Sequence, residues 1–154
     1  MANVIVRKFL VRSDAYRALG TAEHLRQGYV RTAGPATVRV RVGGDRGFLT
    51  VKGPTRGATR SEFEYAIPLA DAVALLDTLC ERPQIEKLRY RVPAGAHTWE
   101  VDEFLGDNAG LVVAEIELSA EDEPFARPAW LGEEVTADPR YRNSALAERP
   151  YRTW

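Results

Sequence analysis

The chain is built from segments in which two charges of one sign stand two residues apart. The basic pairs are Arg39-Val40-Arg41 and Lys87-Leu88-Arg89; the acidic pairs are Glu62-Phe63-Glu64, Glu100-Val101-Asp102 and Glu115-Ile116-Glu117. In a β-strand, residues i and i+2 share a face. The opposite face of these segments is largely apolar, with Val38, Val40 and Val42, Phe63 and Tyr65, Leu88 and Tyr90, and Ala114, Ile116 and Leu118. Each strand therefore has one ionic face and one face to be covered. Like charges held side by side are unfavourable unless an opposite charge sits between them. Two basic pairs suit a polyanion, and three acidic pairs suit divalent cations.

Strands are predicted at about 3–12, 24–32, 36–43, 46–53, 60–67, 84–92, 97–105 and 110–119. Gly43-Gly44-Asp45-Arg46-Gly47 reads as a hairpin turn, as do Pro93-Ala94-Gly95 and Gly106-Asp107-Asn108-Ala109-Gly110. Such short connections indicate an antiparallel meander rather than βαβ units. The pattern breaks at 69–80, where Leu69, Val73, Leu76 and Leu79 recur at helical spacing and Pro68 stands where a helix can begin. That helix would cover one apolar outer face. Residues 120–129 suggest a short helix, 130–142 look irregular, and Asn143 is a candidate cap for a last helix over 144–148. No repeat, low-complexity segment or linker divides the chain, and 1–154 reads as one domain of mixed α+β class, mainly β.

The totals narrow the function. Net charge is -1 with 28% charged residues, so a generally basic nucleic-acid binder is not indicated. The charge is segregated locally, which suits a site. A single cysteine, Cys80, excludes an internal disulfide framework and a multi-cysteine zinc site; in its apolar stretch it reads as a buried inert thiol. No run is long and apolar enough to span a bilayer and no signal peptide is visible, so the chain reads as cytoplasmic, with no membrane partner. His24 and His97 read as exposed histidines at strand starts. Trp130 and Trp154 read as packing residues or a frayed end.

Two architectures fit eight strands with one ionic face. In one, an open sheet turns that face to water. In the other, the sheet closes into an eight-stranded antiparallel barrel with an ionic lumen and helices outside. The acidic pairs are not interspersed with lysine on the same strand, as a solvated face would tend to have them. Eight strands also make a barrel just wide enough for a small ligand.

A resemblance adds to this reading. Val4-Ile5-Val6-Arg7-Lys8-Phe9-Leu10-Val11 resembles the opening strand of the CYTH superfamily, the triphosphate tunnel metalloenzymes, which reads Glu-x-Glu-x-Lys followed by Phe-Leu-Val. Leu25-Arg26-Gln27-Gly28-Tyr29, Val38-Arg39-Val40-Arg41, Leu49-Thr50-Val51-Lys52 and Arg60-Ser61-Glu62-Phe63-Glu64-Tyr65 follow in the family's order. So do Lys87-Leu88-Arg89-Tyr90, Glu100-Val101-Asp102-Glu103-Phe104 and Ala114-Glu115-Ile116-Glu117. The tail Gly132-Glu133-Glu134-Val135-Thr136, with Asp138, Tyr141, Asn143 and Leu146, is similar to that of short bacterial members, so the resemblance covers about residues 3–148.

The resemblance implies a closed tunnel that binds a small anionic polyphosphate ligand and one or two Mg²⁺ or Mn²⁺ ions, with inorganic triphosphatase as the activity of compact members. It implies phosphate binding by Lys8, Arg39, Arg41, Lys52, Lys87 and Arg89. Arginine grips phosphate oxygens in a bidentate fork and lysine acts as a point charge. It implies metal binding by Glu62, Glu64, Asp102, Glu115 and Glu117, and catalytic roles for Lys8 and a partner Tyr29 in activating water. Glu100 matches no motif position and reads as a solvated or paired charge. Homodimers are common in the family, though no diagnostic interface is visible. Adenylyl cyclase activity, also found in the family, lacks an adenine-binding signature here.

One departure stands out. The family's first strand carries two glutamates before the lysine; here those positions are Val4 and Val6. By parity they share a face with Lys8, so two apolar side chains replace two carboxylates of the metal site. Three readings follow: a phosphohydrolase with impaired metal binding, an inactive protein that still binds a phosphate ligand, or a tunnel repurposed for another substrate.

Overall fold

The computed structural model describes residues 2–154. Nine strands are connected in chain order: β1 (Ala2–Val11), β2 (Thr21–Val30), β3 (Thr37–Gly43), β4 (Arg46–Lys52), β5 (Thr59–Ile67), β6 (Ile85–Ala94), β7 (His97–Phe104), β8 (Val112–Leu118) and β9 (Leu131–Glu134). Helix α1 (Leu69–Thr78) lies between β5 and β6, and α2 (Asn143–Glu148) lies near the C-terminus. The sheet order is β5-β4-β3-β2-β6-β7-β8-β1-β9, and β5 also pairs with β1. That pairing closes eight antiparallel strands into a barrel.

Strand β1 performs the closure by dividing one edge between two partners. Residues 2–5 pair with β5, while Phe9 and Val11 pair with β9. The other edge pairs with β8 from Ile5 to Leu10. The segment after β9 also fixes the backbone at Lys8: Val135 N donates to Lys8 O at 2.8 Å, and Lys8 N donates to Thr136 Oγ1 at 2.9 Å.

The barrel is clad on its outer face in two places. Phe9, Trp99, Trp130 and Tyr16 form a buried aromatic cluster of edge-to-face contacts between β1, β7 and the segments following β1 and β8. Helix α1 covers Val40 with Ala72 and Leu76. It lies close because β4 offers a glycine there: a Cβ on Gly47 would stand 2.6 Å from that of Ala72. This close approach determines which helix face is buried. Of the expected stripe of Leu69, Val73, Leu76 and Leu79 only Leu76 is buried; Leu69, Val73 and Leu79 are exposed and Ala72 shares the contact. The outer face of β5 is also left open, with Tyr65 exposed.

A third cluster lies inside. Leu10, Ile85, Phe104 and Val113 share the strand faces of Lys8, Lys87, Asp102 and Glu115, and pack with Val135, Tyr141 and Leu146. The lumen is therefore not ionic along its whole length; tail residues and apolar rungs plug one end. Three other expectations change. Residues 120–129 contain no helix, and the segment read as irregular supplies β9. Asn143 opens α2 but makes no side-chain cap, because its amide is turned to the lumen network described below.

Candidate functional site

Cross-strand register gathers the paired charges. Tyr29 stands opposite Arg39, Gln27 opposite Arg41, Arg39 opposite Thr50, and Lys52 opposite Glu62. Arg89 faces Asp102, Glu100 faces Glu115, and Lys8 faces Glu115. All these side chains share the lumen face. Most of them line two cavities that meet in mid-barrel, where Val4, Val6, Arg39, Arg41, Lys52, Glu62, Arg89 and Glu115 border both.

The first cavity, towards the apolar plug, is cationic. Beside Lys8, Arg39, Arg41, Lys52, Lys87 and Arg89 it is lined by Arg60 and Arg142, against the carboxylates Glu62 and Glu115. Several of these cations are paired: Lys8 with Glu115 at 3.6 Å, Arg39 with Glu64 at 3.3 Å and Lys52 with Glu62 at 3.1 Å. Arg41, Arg60 and Arg142 make no ion pair with any described residue. Arg41 donates its Nε to Gln27 at 2.9 Å, and Arg60 donates to the Gly53 carbonyl at 3.1 Å. Arg39 Nε is buried with no partner among the described residues. Burial lowers the Arg41 guanidinium to about 9, with further lowering from Arg39 and Arg89. Arg60 is lowered by burial and then by Arg142. Burial also lowers Lys52 to about 8, with Arg39 adding to it, and Lys87 to about 7. Cations that burial and one another press towards neutrality form a site that an anion would relieve.

The second cavity, of about 540 Å³, is rich in carboxylates: Glu23, Glu62, Glu64, Glu100, Glu115 and Glu117 line it with Arg46, Arg91, Leu25 and Phe48. Glu100 is paired, with Arg89 at 3.3 Å and Arg91 at 3.7 Å. Burial would raise the Glu115 carboxyl, but Lys8, Arg89 and Lys87 together hold it low. Glu117 has no ion pair among the described residues, and its carboxyl is raised by burial and by Glu62 and Glu100. Three neighbouring carboxylates with one left unneutralised form a donor set suited to a hard cation. Among the described residues no three His, Cys, Asp or Glu side chains close into a cage. A small divalent ion does not require one when substrate phosphates complete its shell.

Asp102 differs from its expected role. It is fully buried and lines neither cavity. Its oxygens accept from Arg89 at 2.8 and 3.0 Å and from Lys87 at 2.8 Å. Burial would raise its carboxyl, but Arg89 and Lys87 hold it far below the usual range. Its position makes it the counter-charge that anchors two cations rather than a free metal donor. The expected pairing of Lys8 with Tyr29 is also absent: both line the cationic cavity, but Lys8 is engaged by Glu115 and the Tyr29 hydroxyl by Gln27.

Among residues outside the site, His24 is exposed beside Glu86 as expected. His97 is instead largely covered and held by Glu123. Trp130 is core, and Trp154 is a half-exposed end packed on Tyr141 and Tyr151. Cys80 is half-buried after α1, its thiol pushed up by burial. No helix among the described residues is long and apolar enough to cross a membrane.

Residues 2–151 match the family model described as the CYTH domain. An inorganic triphosphatase of Acetivibrio thermocellus is 51% identical over 154 residues, spanning 100% of this chain and 99% of the relative. An inorganic triphosphatase of Nitrosomonas europaea is 38% identical over 148 residues, spanning 93% and 95%. A crystal structure of an inorganic triphosphatase superposes with a TM-score of 0.69 at 35% identity, covering 96% of this chain and 95% of that one.

Proposed function

The chain belongs to the CYTH domain family, and from that membership we propose that its barrel binds inorganic tripolyphosphate and hydrolyses it to pyrophosphate and orthophosphate. The observation that carries this reading is the surplus of unpaired guanidinium groups, Arg41, Arg60 and Arg142, in one enclosed cavity beside five paired cations. A linear chain of phosphates is a ligand whose charge is spread along a line in the same way.

In this proposal Arg39, Arg41, Arg89, Lys52 and Lys87 hold the phosphate oxygens, and Arg60 and Arg142 extend the row towards the tail. Asp102 keeps Arg89 and Lys87 oriented. A water oxygen bonds to the terminal phosphorus as the bridging P–O bond breaks, pyrophosphate carries away the electron pair, and the proton of the water passes by way of a phosphate oxygen to solvent. Charge on the phosphoryl oxygens then meets a fixed set of cations, which costs no solvent reorganisation at the moment of reaction. Lys8, its backbone pinned by Val135 and Thr136, takes the terminal phosphoryl group, with Tyr29 as a hydrogen-bonding partner of the ligand.

Glu117, Glu62 and Glu100, with Glu64 and Glu115 beside them, would hold Mg²⁺ or Mn²⁺. Bound there, a divalent ion would neutralise phosphate oxygens and make the phosphorus more electrophilic. Val4 and Val6 border both cavities and bring no oxygen, so metal affinity is proposed to be reduced. The same pair supports a second reading, in which the tunnel binds tripolyphosphate without turning it over.

Phosphate release from tripolyphosphate, with Mg²⁺ or Mn²⁺, tests these readings. Release abolished by Arg41→Ala and by Glu117→Gln supports the hydrolase. Binding without release supports the second reading, and absence of both refutes each.

A further inference from the structure

We propose that Gln27 and Asn143 are positioning residues: two amides that fix the hydrogen-bond polarity of the cationic cavity, so that Tyr29 and Asn143 meet phosphate oxygens as donors. This rests on the tripolyphosphate reading above.

Gln27 is fully buried on β2, opposite Arg41. Its Oε1 accepts from Arg41 Nε at 2.9 Å. Arginine offers only donors, so flipping the amide would set N–H against N–H; the orientation is determined. Both hydrogens of Nε2 are then assigned. One goes to the Tyr29 hydroxyl oxygen at 3.1 Å and the other to Asn143 Oδ1 at 3.1 Å.

Two consequences follow. Tyr29 accepts a hydrogen bond from Gln27, and no described residue accepts its own hydrogen, which is free for a ligand in the cavity that Tyr29 lines. Asn143 Oδ1 also accepts from Lys87 Nζ at 2.8 Å. With its carbonyl oxygen engaged twice, Asn143 is held in one orientation and offers its Nδ2 hydrogens to the same cavity. Burial raises the Tyr29 phenol despite Arg39 and Arg41, which keeps the hydrogen in place. Phosphate oxygens at neutral pH accept hydrogen bonds, and a cavity wall that presented lone pairs would repel them. An uncharged glutamine within the cationic lumen thus sets the direction of two neutral donors and the aim of Arg41. Because Asn143 opens α2, the same contacts tie the tail to the phosphate cavity.

The test uses the full chain and tripolyphosphate as probe. Side-chain amide NMR of the wild type should show the Asn143 Nδ2 hydrogens moving downfield at saturating tripolyphosphate, while the Gln27 Nε2 pair stays near its free position. Calorimetric Kd values should show Tyr29→Phe and Gln27→Met each weakening binding about tenfold, as for loss of one hydrogen bond to a charged partner. The double variant should then fall short of the product of the two losses, because part of the Gln27 effect runs through Tyr29. An unmoved Asn143 signal in a wild type that binds tripolyphosphate overturns the proposal, as do losses that multiply. A wild type that does not bind tripolyphosphate overturns the proposal together with the function it rests on.

Discussion

Installing a carboxylate at Val4 and at Val6 is chemically one change made twice, and the register predicts opposite effects. Val6 stands opposite Glu117 on β8, whereas Val4 stands opposite Arg60 on β5. Directly opposed residues have Cβ atoms about 4.5–5.5 Å apart. Two carboxylates about 5 Å apart repel by about 1 kcal/mol in water-like surroundings and about 3 kcal/mol at the effective dielectric of a protein surface. Glu117 already has no counter-charge among the described residues and is crowded by Glu62 and Glu100. Val6→Glu should therefore cost about 1–3 kcal/mol without metal, lowering Tm by roughly 2–10 °C for a domain of this size. Val4→Glu places its charge beside an unpaired guanidinium and should be neutral or stabilising by up to about 1 kcal/mol. A divalent cation should reverse the first effect: at 100 times its Kd it adds about 2.7 kcal/mol to the folded state. Thermal melts in EDTA and across a MnCl₂ titration measure both. Val6→Glu melting at or above the wild type in EDTA, or gaining no more from Mn²⁺ than the wild type, would refute the reasoning.

Other perturbations have equally definite outcomes. Asp102→Asn takes from buried Lys87 its one carboxylate partner among the described residues and leaves buried Arg89 with Glu100 alone at 3.3 Å, and should cost about 3–5 kcal/mol, seen as a Tm drop of more than about 6 °C. Gly47→Ala sets a methyl 2.6 Å from the Ala72 Cβ and should cost about 1–3 kcal/mol by overpacking; denaturant melts should show it, whereas Gly44→Ala, facing open space at φ +60, should lose stability through strain alone. Tripolyphosphate affinity should fall as pH rises above about 7, because Lys87 is lowered to about 7 and Lys52 to about 8. An entering polyanion favours their charged forms, so binding takes up protons above those values and affinity drops by up to about tenfold per pH unit for each proton. Calorimetry at pH 8 in two buffers of different ionisation enthalpy should show uptake; proton release would contradict it.

The barrel was legible because strand parity is rigid: a period of two places Arg39 with Arg41, and Glu115 with Glu117, whatever the long-range packing. The same parity puts Arg60 on the face of Glu62 and Glu64, but a lone basic residue ahead of an acidic pair carries no like-charge signal. Gln27 lies on the face of Tyr29 and has no charge to mark it, although an amide among cations is where polarity must be decided. The status of Asp102 depends on register, since its meaning changes once Arg89 stands opposite and Lys87 reaches its second oxygen. Arg142 and Asn143 reach the cavity through the path of the tail, which no local periodicity encodes. Strand β9 is a strand only because β1 leaves an edge free beyond Ile5. The buried face of α1 followed the glycine at position 47 rather than the largest side chains.

The most direct measurement is the ³¹P NMR spectrum of tripolyphosphate incubated with the wild-type chain and Mg²⁺ or Mn²⁺. A triphosphate-hydrolysing tunnel should replace the substrate signals by orthophosphate and pyrophosphate in equal amounts, with pyrophosphate then persisting. Unchanged tripolyphosphate signals, or continued loss of pyrophosphate to orthophosphate, would contradict it.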